Sequence, residues 1–198
     1  MPLSGCDLFK KKHPRPNILV LISDDQSWLH TSAMGDSVVK TPTFDRLARE
    51  GVLFTHAFSA SPSCSPSRAA LLTGQEIWRL GPAANQKGPL DEAFEVYPDI
   101  LEKHGYRVGY TGKGWYPGDV KDTGRTRNPA GESFSDDKHR DKLEYFTTFM
   151  DGLPEGVPFC FWFGTREPHR PYGESRPKQN VLGNVFPPEI WPDAEDLS

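Results

Sequence analysis

The feature that most constrains the fold is the aliphatic run Ile18-Leu19-Val20-Leu21-Ile22, followed by Ser23 and the acidic pair Asp24-Asp25. So short a run cannot span a bilayer, which takes about 20 apolar residues. Its β-branched and leucine content predicts a strand buried on both faces, as the strands of a parallel sheet are. The two carboxylates then fall at the carboxyl end of that strand, where open α/β sheets bind their ligands.

Punctuation along the rest of the chain supports the same fold class. Thr41-Pro42 reads as an N-cap with proline at the first helical position; Phe44, Leu47 and Ala48 share one face, and Gly51 stops the helix. Val52-Leu53-Phe54 reads as the start of a second strand. Ser65-Pro66 opens a helix through Leu71-Leu72 that Gly74 closes, which puts Cys64 at or near a helix N-terminus. Pro98 to His104 has helical spacing with Gly105 as its C-cap, and Tyr106 to Tyr110 follows as a strand with Lys113 just beyond it. A Gly/Pro/Asp-rich loop is expected from Pro117 to Phe134, a helix from about Asp137 to Met150, and a last apolar strand from Val157 to Phe163. Arg166, Glu167 and His169 lie just past that strand.

Strands alternating with helices predict an α/β fold with a largely parallel central sheet flanked by helices. Asp24, Asp25, Lys113 and His169 each follow a predicted strand, so a single rim of the sheet is their expected meeting place. Residues 1–16, with Lys10-Lys11-Lys12 and two prolines, read as an extended leader, and 17–198 as the folded part. No apolar segment of the secretory kind is visible at the start, so the compartment stays open.

Composition narrows the chemistry. A net charge of −4 gives no basic balance for nucleic acid, and a hydrophobic fraction of 36% fits a loop-rich soluble protein rather than a membrane or disordered one. The 3 cysteines cannot all pair with one another, and their spacing does not suit zinc. Cys160, inside Phe159-Cys160-Phe161-Trp162-Phe163, reads as a small buried hydrophobe, and Cys6 belongs to the polar leader. Cys64 is different: a helix N-terminus lowers a thiol pKa, and Arg68, one turn onward, adds positive charge beside it. On electrostatics alone this is an anion-binding corner, or equally a cysteine in a proline-marked turn. The pair Asp24-Asp25 offers oxygen ligands to a hard divalent cation, although adjacent aspartates also cap turns and two carboxylates do not complete a calcium sphere.

The stretch Cys64-Ser65-Pro66-Ser67-Arg68-Ala69-Ala70-Leu71-Leu72-Thr73-Gly74 resembles the signature of type I sulfatases. Asn17 to Asp25, Lys40-Thr41-Pro42 through Gly51, Gly112-Lys113 and Pro168-His169-Arg170 resemble further family segments in the same order, from Asn17 to about Tyr172. The resemblance implies an alkaline-phosphatase-like fold and hydrolysis of sulfate esters or sulfamates. It also implies that Cys64 is oxidised after translation to formylglycine by a formylglycine-generating or anaerobic sulfatase-maturating enzyme. One hydroxyl of the hydrated aldehyde would attack sulfur, and the second would expel sulfate. By the same resemblance, Asp24, Asp25 and residue 64 bind Ca2+, Arg68 holds the hydrate, Lys113 binds a sulfate oxygen, and His169 contacts sulfate or protonates the leaving group.

Within the family, Ser63 to Arg68 and Glu167-Pro168-His169-Arg170 look closest to heparan N-sulfatases, also called sulfamidases, and the substrate expected is a sulfated small molecule or glycan. Two departures stand out. Many sulfatases carry a histidine two residues after the lysine, where this chain has Trp115, with His104 and His139 as unsupported substitutes. The family's later calcium ligands and second lysine have no counterpart before Ser198, and the acidic, proline-rich stretch Pro187 to Ser198 reads as a truncated end. Two other readings follow: a related phosphodiesterase of the same superfamily, and a non-catalytic fragment that binds sulfated glycans.

Overall fold

The computed structural model describes residues 15–135 and 143–170. The leader up to residue 14, with Cys6, therefore lies outside the described residues, as do His139, the expected helix start at Asp137 and everything from 171 onward. The chain divides into two compact units, residues up to Ser23 with Ser59–Arg166, and Asp24–Phe58 with the residues from Glu167.

The first unit is built on four parallel strands, β1 (Ile18–Ile22), β2 (Arg107–Gly112), β3 (Glu132–Ser133) and β4 (Phe159–Gly164), in the order β1-β4-β2-β3. A parallel neighbour requires a crossover, and helices supply it. Helix α2 (Cys64–Thr73) and α3 (Tyr97–Lys103) lie between β1 and β2 in sequence, and α4 (Leu143–Asp151) between β3 and β4. In register, Ile22 and Gly112 both stand opposite Gly164, so the three long strands end level.

Two cores hold these elements. Ala69, Ala70 and Leu72 of α2 pack with Leu80, Leu90, Val96, Trp115 and Trp162, and Val20 and Ile22 of β1 lie against them. Phe149 of α4 packs with Phe159 and Phe161 of β4, its ring 4.7 Å from that of Phe161 and edge-on to Phe134 at 5.4 Å. The second unit contains α1 (Pro42–Glu50), whose C-cap is Gly51. Thr41 precedes it without a side-chain cap bond; its hydroxyl instead bonds the backbone N–H and hydroxyl of Ser32.

Several expectations need correction. The central run forms a parallel strand, but it is not buried on both faces: Leu19 and Leu21 are 44% and 54% exposed, since the phenylalanine core of α4 gathers on β4 and leaves that face of β1 open. Val52-Leu53-Phe54 is not a strand, because no partner strand pairs with it among the described residues. Phe54 is 76% exposed, and with Trp28, Phe44, Leu47, Leu53 and Phe58 it lines an open apolar groove of about 550 Å³ within the second unit. The loop expected from Pro117 to Phe134 contains a helical turn at Val120–Thr123 and ends in β3. No helix among the described residues is long and apolar enough to cross a membrane.

Burial raises the Cys160 thiol from its ordinary 9.0 to about 11, and burial together with that thiol raises the Tyr97 hydroxyl. Between 9 and 11 the unfolded chain releases the cysteine proton while the folded protein keeps it, so stability falls as pH rises through that window. Urea midpoints measured across it should decline, and less steeply in Cys160→Ala. Replacing Phe149, fully buried, by Ala removes the centre of the aromatic core. It should cost about 3–5 kcal/mol in the same measurement.

Candidate active site

Helix α2 sets the position of Cys64. Ser63 is extended at φ −141° and ψ 138°, the Ser67 N–H donates to the Ser63 carbonyl at 3.1 Å, and Cys64 is thus the first helical residue. Pro66 sits in the first turn, where a missing N–H costs no helical bond. At the other end Gly74 takes the left-handed conformation, φ 64°, and donates to Ala70. The alanines at 69 and 70 have little side chain, so the helix packs closely on the core and carries Arg68 inward.

Arg68 is 4% exposed. Its Nη1 donates to the Lys113 carbonyl at 2.8 Å, and its guanidinium lies 5.7 Å from the centre of the Trp162 ring. A planar cation suits that setting, since it can stack on an aromatic face while donating in its own plane. Residues 64 and 68 are one turn apart and so share a helix face.

Lys113 leaves the end of β2, its N–H donating to the Gly164 carbonyl at 3.2 Å. It is also 4% exposed, and its Nζ stands 4.4 Å from the centre of the Tyr116 ring. The turn that follows depends on Gly114: a Cβ there would be 2.4 Å from the Tyr110 side chain. Trp115, at the position where the resemblance would have a histidine, points into the first core with the Arg125 guanidinium 5.5 Å from its ring centre. Tyr116, rather than Trp115, is the residue that meets Lys113. His104 binds the Ile100 carbonyl through Nδ1 at 2.8 Å and caps α3, a local structural task.

Asp24, Asp25 and His169 belong to the second unit. Asp24 is 2% exposed, and its N–H donates to the Glu167 carbonyl at 3.0 Å. Asp25 has a left-handed backbone, φ 60°, which aspartate tolerates better than most residues. Its Oδ2 is 3.5 Å from Nε2 of His169, whose Nδ1 faces the Arg170 carbonyl. The structure thus joins Cys64, Arg68 and Lys113 in one unit, and Asp25 and His169 in the other.

Sequence reading missed Gln86. Its Nε2 donates to the Cys64 Sγ at 3.5 Å, and its Oε1 accepts from the Ser63 hydroxyl at 2.6 Å. No local pattern announces this contact, because it closes over 22 residues. A faint clue was Gly88, where a Cβ would meet the Pro82 carbonyl oxygen at 1.8 Å, marking a tight turn.

Carboxylates on consecutive residues fit the oxygen preference of calcium, but calcium takes six to eight oxygens. Among the described residues no group of three or more His, Cys, Asp or Glu side chains gathers as a metal site. The pair therefore fits as part of a coordination sphere.

The family model described as Sulfatase matches residues 16–188. N-acetylgalactosamine-6-sulfatase of Homo sapiens is 40% identical over 115 residues, 52% of this chain and 22% of that protein. Arylsulfatase D of Homo sapiens is 36% identical over 129 residues, again 22% of its length. N-acetylglucosamine-6-O-sulfatase of Bacteroides thetaiotaomicron is 25% identical over 95% of this chain and 36% of that protein. The chain thus spans about a fifth to a third of these relatives. A solved structure in complex with its substrate D-glucosamine-2-N,6-O-disulfate superposes with a TM-score of 0.65 at 22% identity, covering 79% of this chain and 35% of that one. Phosphonate monoester hydrolase of Agrobacterium radiobacter gives 0.63 at 22% identity, covering 81% and 43%. The fold is therefore shared with enzymes of the alkaline-phosphatase-like kind, and, with the family model covering most of its length, the chain belongs to the sulfatase family.

Proposed function

We propose that this chain is the N-terminal part of a hydrolase that removes sulfate from sulfated sugars, with Cys64 converted to formylglycine by a maturation enzyme. The observation that carries this reading is the buried bond from Arg68 to the Lys113 carbonyl, which ties the end of β2 to a cation one turn from Cys64, on a helix whose N-terminus favours an anion. Formylglycine, as its hydrate, supplies one hydroxyl to attack sulfur and another whose deprotonation releases sulfate. Arg68 holds residue 64 and offsets negative charge there. Lys113 binds a sulfate oxygen as a point charge, with Tyr116 against its ammonium limiting where that charge can go. His169, held beside Asp25, is the group to contact sulfate or protonate the departing oxygen. By the family resemblance, Asp24, Asp25 and residue 64 would be ligands to a calcium ion, which when bound would supply positive charge to offset that on the sulfate oxygens.

The relatives are named for 6-sulfates of amino sugars and for aryl sulfates. An O-sulfated hexosamine is accordingly the first substrate to try, and the N-sulfated sugar suggested by Glu167 to Arg170 is the second. The fold similarity to a phosphonate monoester hydrolase favours one competing reading, hydrolysis at phosphorus. Turnover of an aryl sulfate against an aryl phosphonate decides between them.

Co-expression with a formylglycine-generating enzyme followed by peptide mass spectrometry should find the aldehyde mass at residue 64, and its hydrolytic activity should vanish in Cys64→Ala. Recovery of unmodified cysteine in a fully active protein would refute the mechanism. Lys113→Ala should lower kcat roughly 100-fold, and Lys113→Arg should recover only part of it. A kcat within a factor of about two of wild type in Lys113→Ala would remove that residue from the reaction.

A further inference from the structure

Among the described residues, Gln86 is a side chain that the structure brings to residue 64 from a distant part of the sequence, and the way it is held is unusual. Ser63 occupies the N-cap position of α2, where a serine oxygen ordinarily accepts from a helix N–H. Here it makes no cap bond and donates instead to Gln86 Oε1 at 2.6 Å. That bond fixes the direction of the carboxamide, leaving Nε2 as the end nearer the Cys64 Sγ, 3.5 Å against 4.0 Å for Oε1.

The backbone around Gln86 is fastened as well. The Lys87 N–H donates to the Ser65 hydroxyl at 3.1 Å, and that hydroxyl, on a residue with no exposure, donates to the Tyr116 carbonyl at 3.2 Å. Lys87 adopts a left-handed backbone, φ 61°, and Gly88 fits against the Pro82 carbonyl only without a side chain. Gln86 itself is exposed, so the amide stands on the solvent side of residue 64 and is not packing the interior.

We infer that Gln86 is a positioning residue for the nucleophile: its Nε2–H donates to a hydroxyl of the hydrated residue 64, favouring the hydrate over the free aldehyde and fixing which hydroxyl points at the substrate. This rests on the formylglycine reading. Hydration adds one water across the carbonyl, the hydroxyl to carbon and the proton to oxygen, and a donor to the resulting hydroxyl shifts that equilibrium without itself changing.

The test separates the donor from the scaffold. Gln86→Glu keeps the shape and an oxygen for Ser63 but cannot donate when ionised, whereas Gln86→Ala removes both. In the formylglycine protein, capture of the free aldehyde by an aminooxy probe should quicken roughly fivefold in both variants, with thermal midpoints near wild type. The kcat for an aryl sulfate should fall with KM little changed. Labelling of Gln86→Glu at the wild-type rate would overturn the inference, as would an equal gain in a control variant distant from the site, such as Lys121→Ala. Should mass spectrometry return cysteine at 64, the formylglycine reading fails separately, and the contact is then judged in the thiol protein. There, the Gln86 side-chain amide resonances should move on Cys64→Ala; their indifference to that change would overturn the role of Gln86.

Discussion

Strand β4 pairs on both sides, with β1 and β2 parallel to it, and the register brings Ile22, Gly112 and Gly164 level. Two backbone bonds then fix the exits: Lys113 N–H to the Gly164 carbonyl, and Thr165 N–H to the Ile22 carbonyl. Everything chemical in the first unit depends on this alignment. Because a one-residue slip would turn Lys113 to the opposite face, the aromatic and aliphatic packing that enforces the register also enforces the charge placement.

The buried cations illustrate how that placement is tolerated. Burying a guanidinium or an ammonium is costly unless polar or π partners replace water. Arg68 obtains a carbonyl and the Trp162 face, and Lys113 obtains the Tyr116 ring. These are among the groups that replace water around the two cations.

Much of this was legible in the sequence wherever the signal was local. Pro42 and Gly51, and Pro66 and Gly74, marked two helices correctly because proline and glycine act on the backbone of their own turn. Lys113 was correctly placed after a strand. What failed was whatever depended on distant neighbours. The aliphatic character of Leu19 and Leu21 implied cover that β1 does not receive on that face, and Val52 to Phe54 had strand-forming side chains without a paired edge. Trp115 and Tyr116 could not be told apart until the turn at Gly114 showed which ring faces Lys113. Gln86 was invisible for the same reason: an amide in a polar loop has no signature until the fold delivers it to the helix mouth.

The groove bounded by Trp28, Phe44, Leu53 and Phe58 has a practical side. Contiguous aromatic and aliphatic surface facing water is prone to association. Molecules in concentrated solution lower their free energy by pressing these faces against one another, or against plastic, lipid or dye. Colloidal behaviour in the test tube is therefore sensitive to a region other than the helix that carries Cys64, and protein lost to the walls of the vessel would mimic an inactive catalyst.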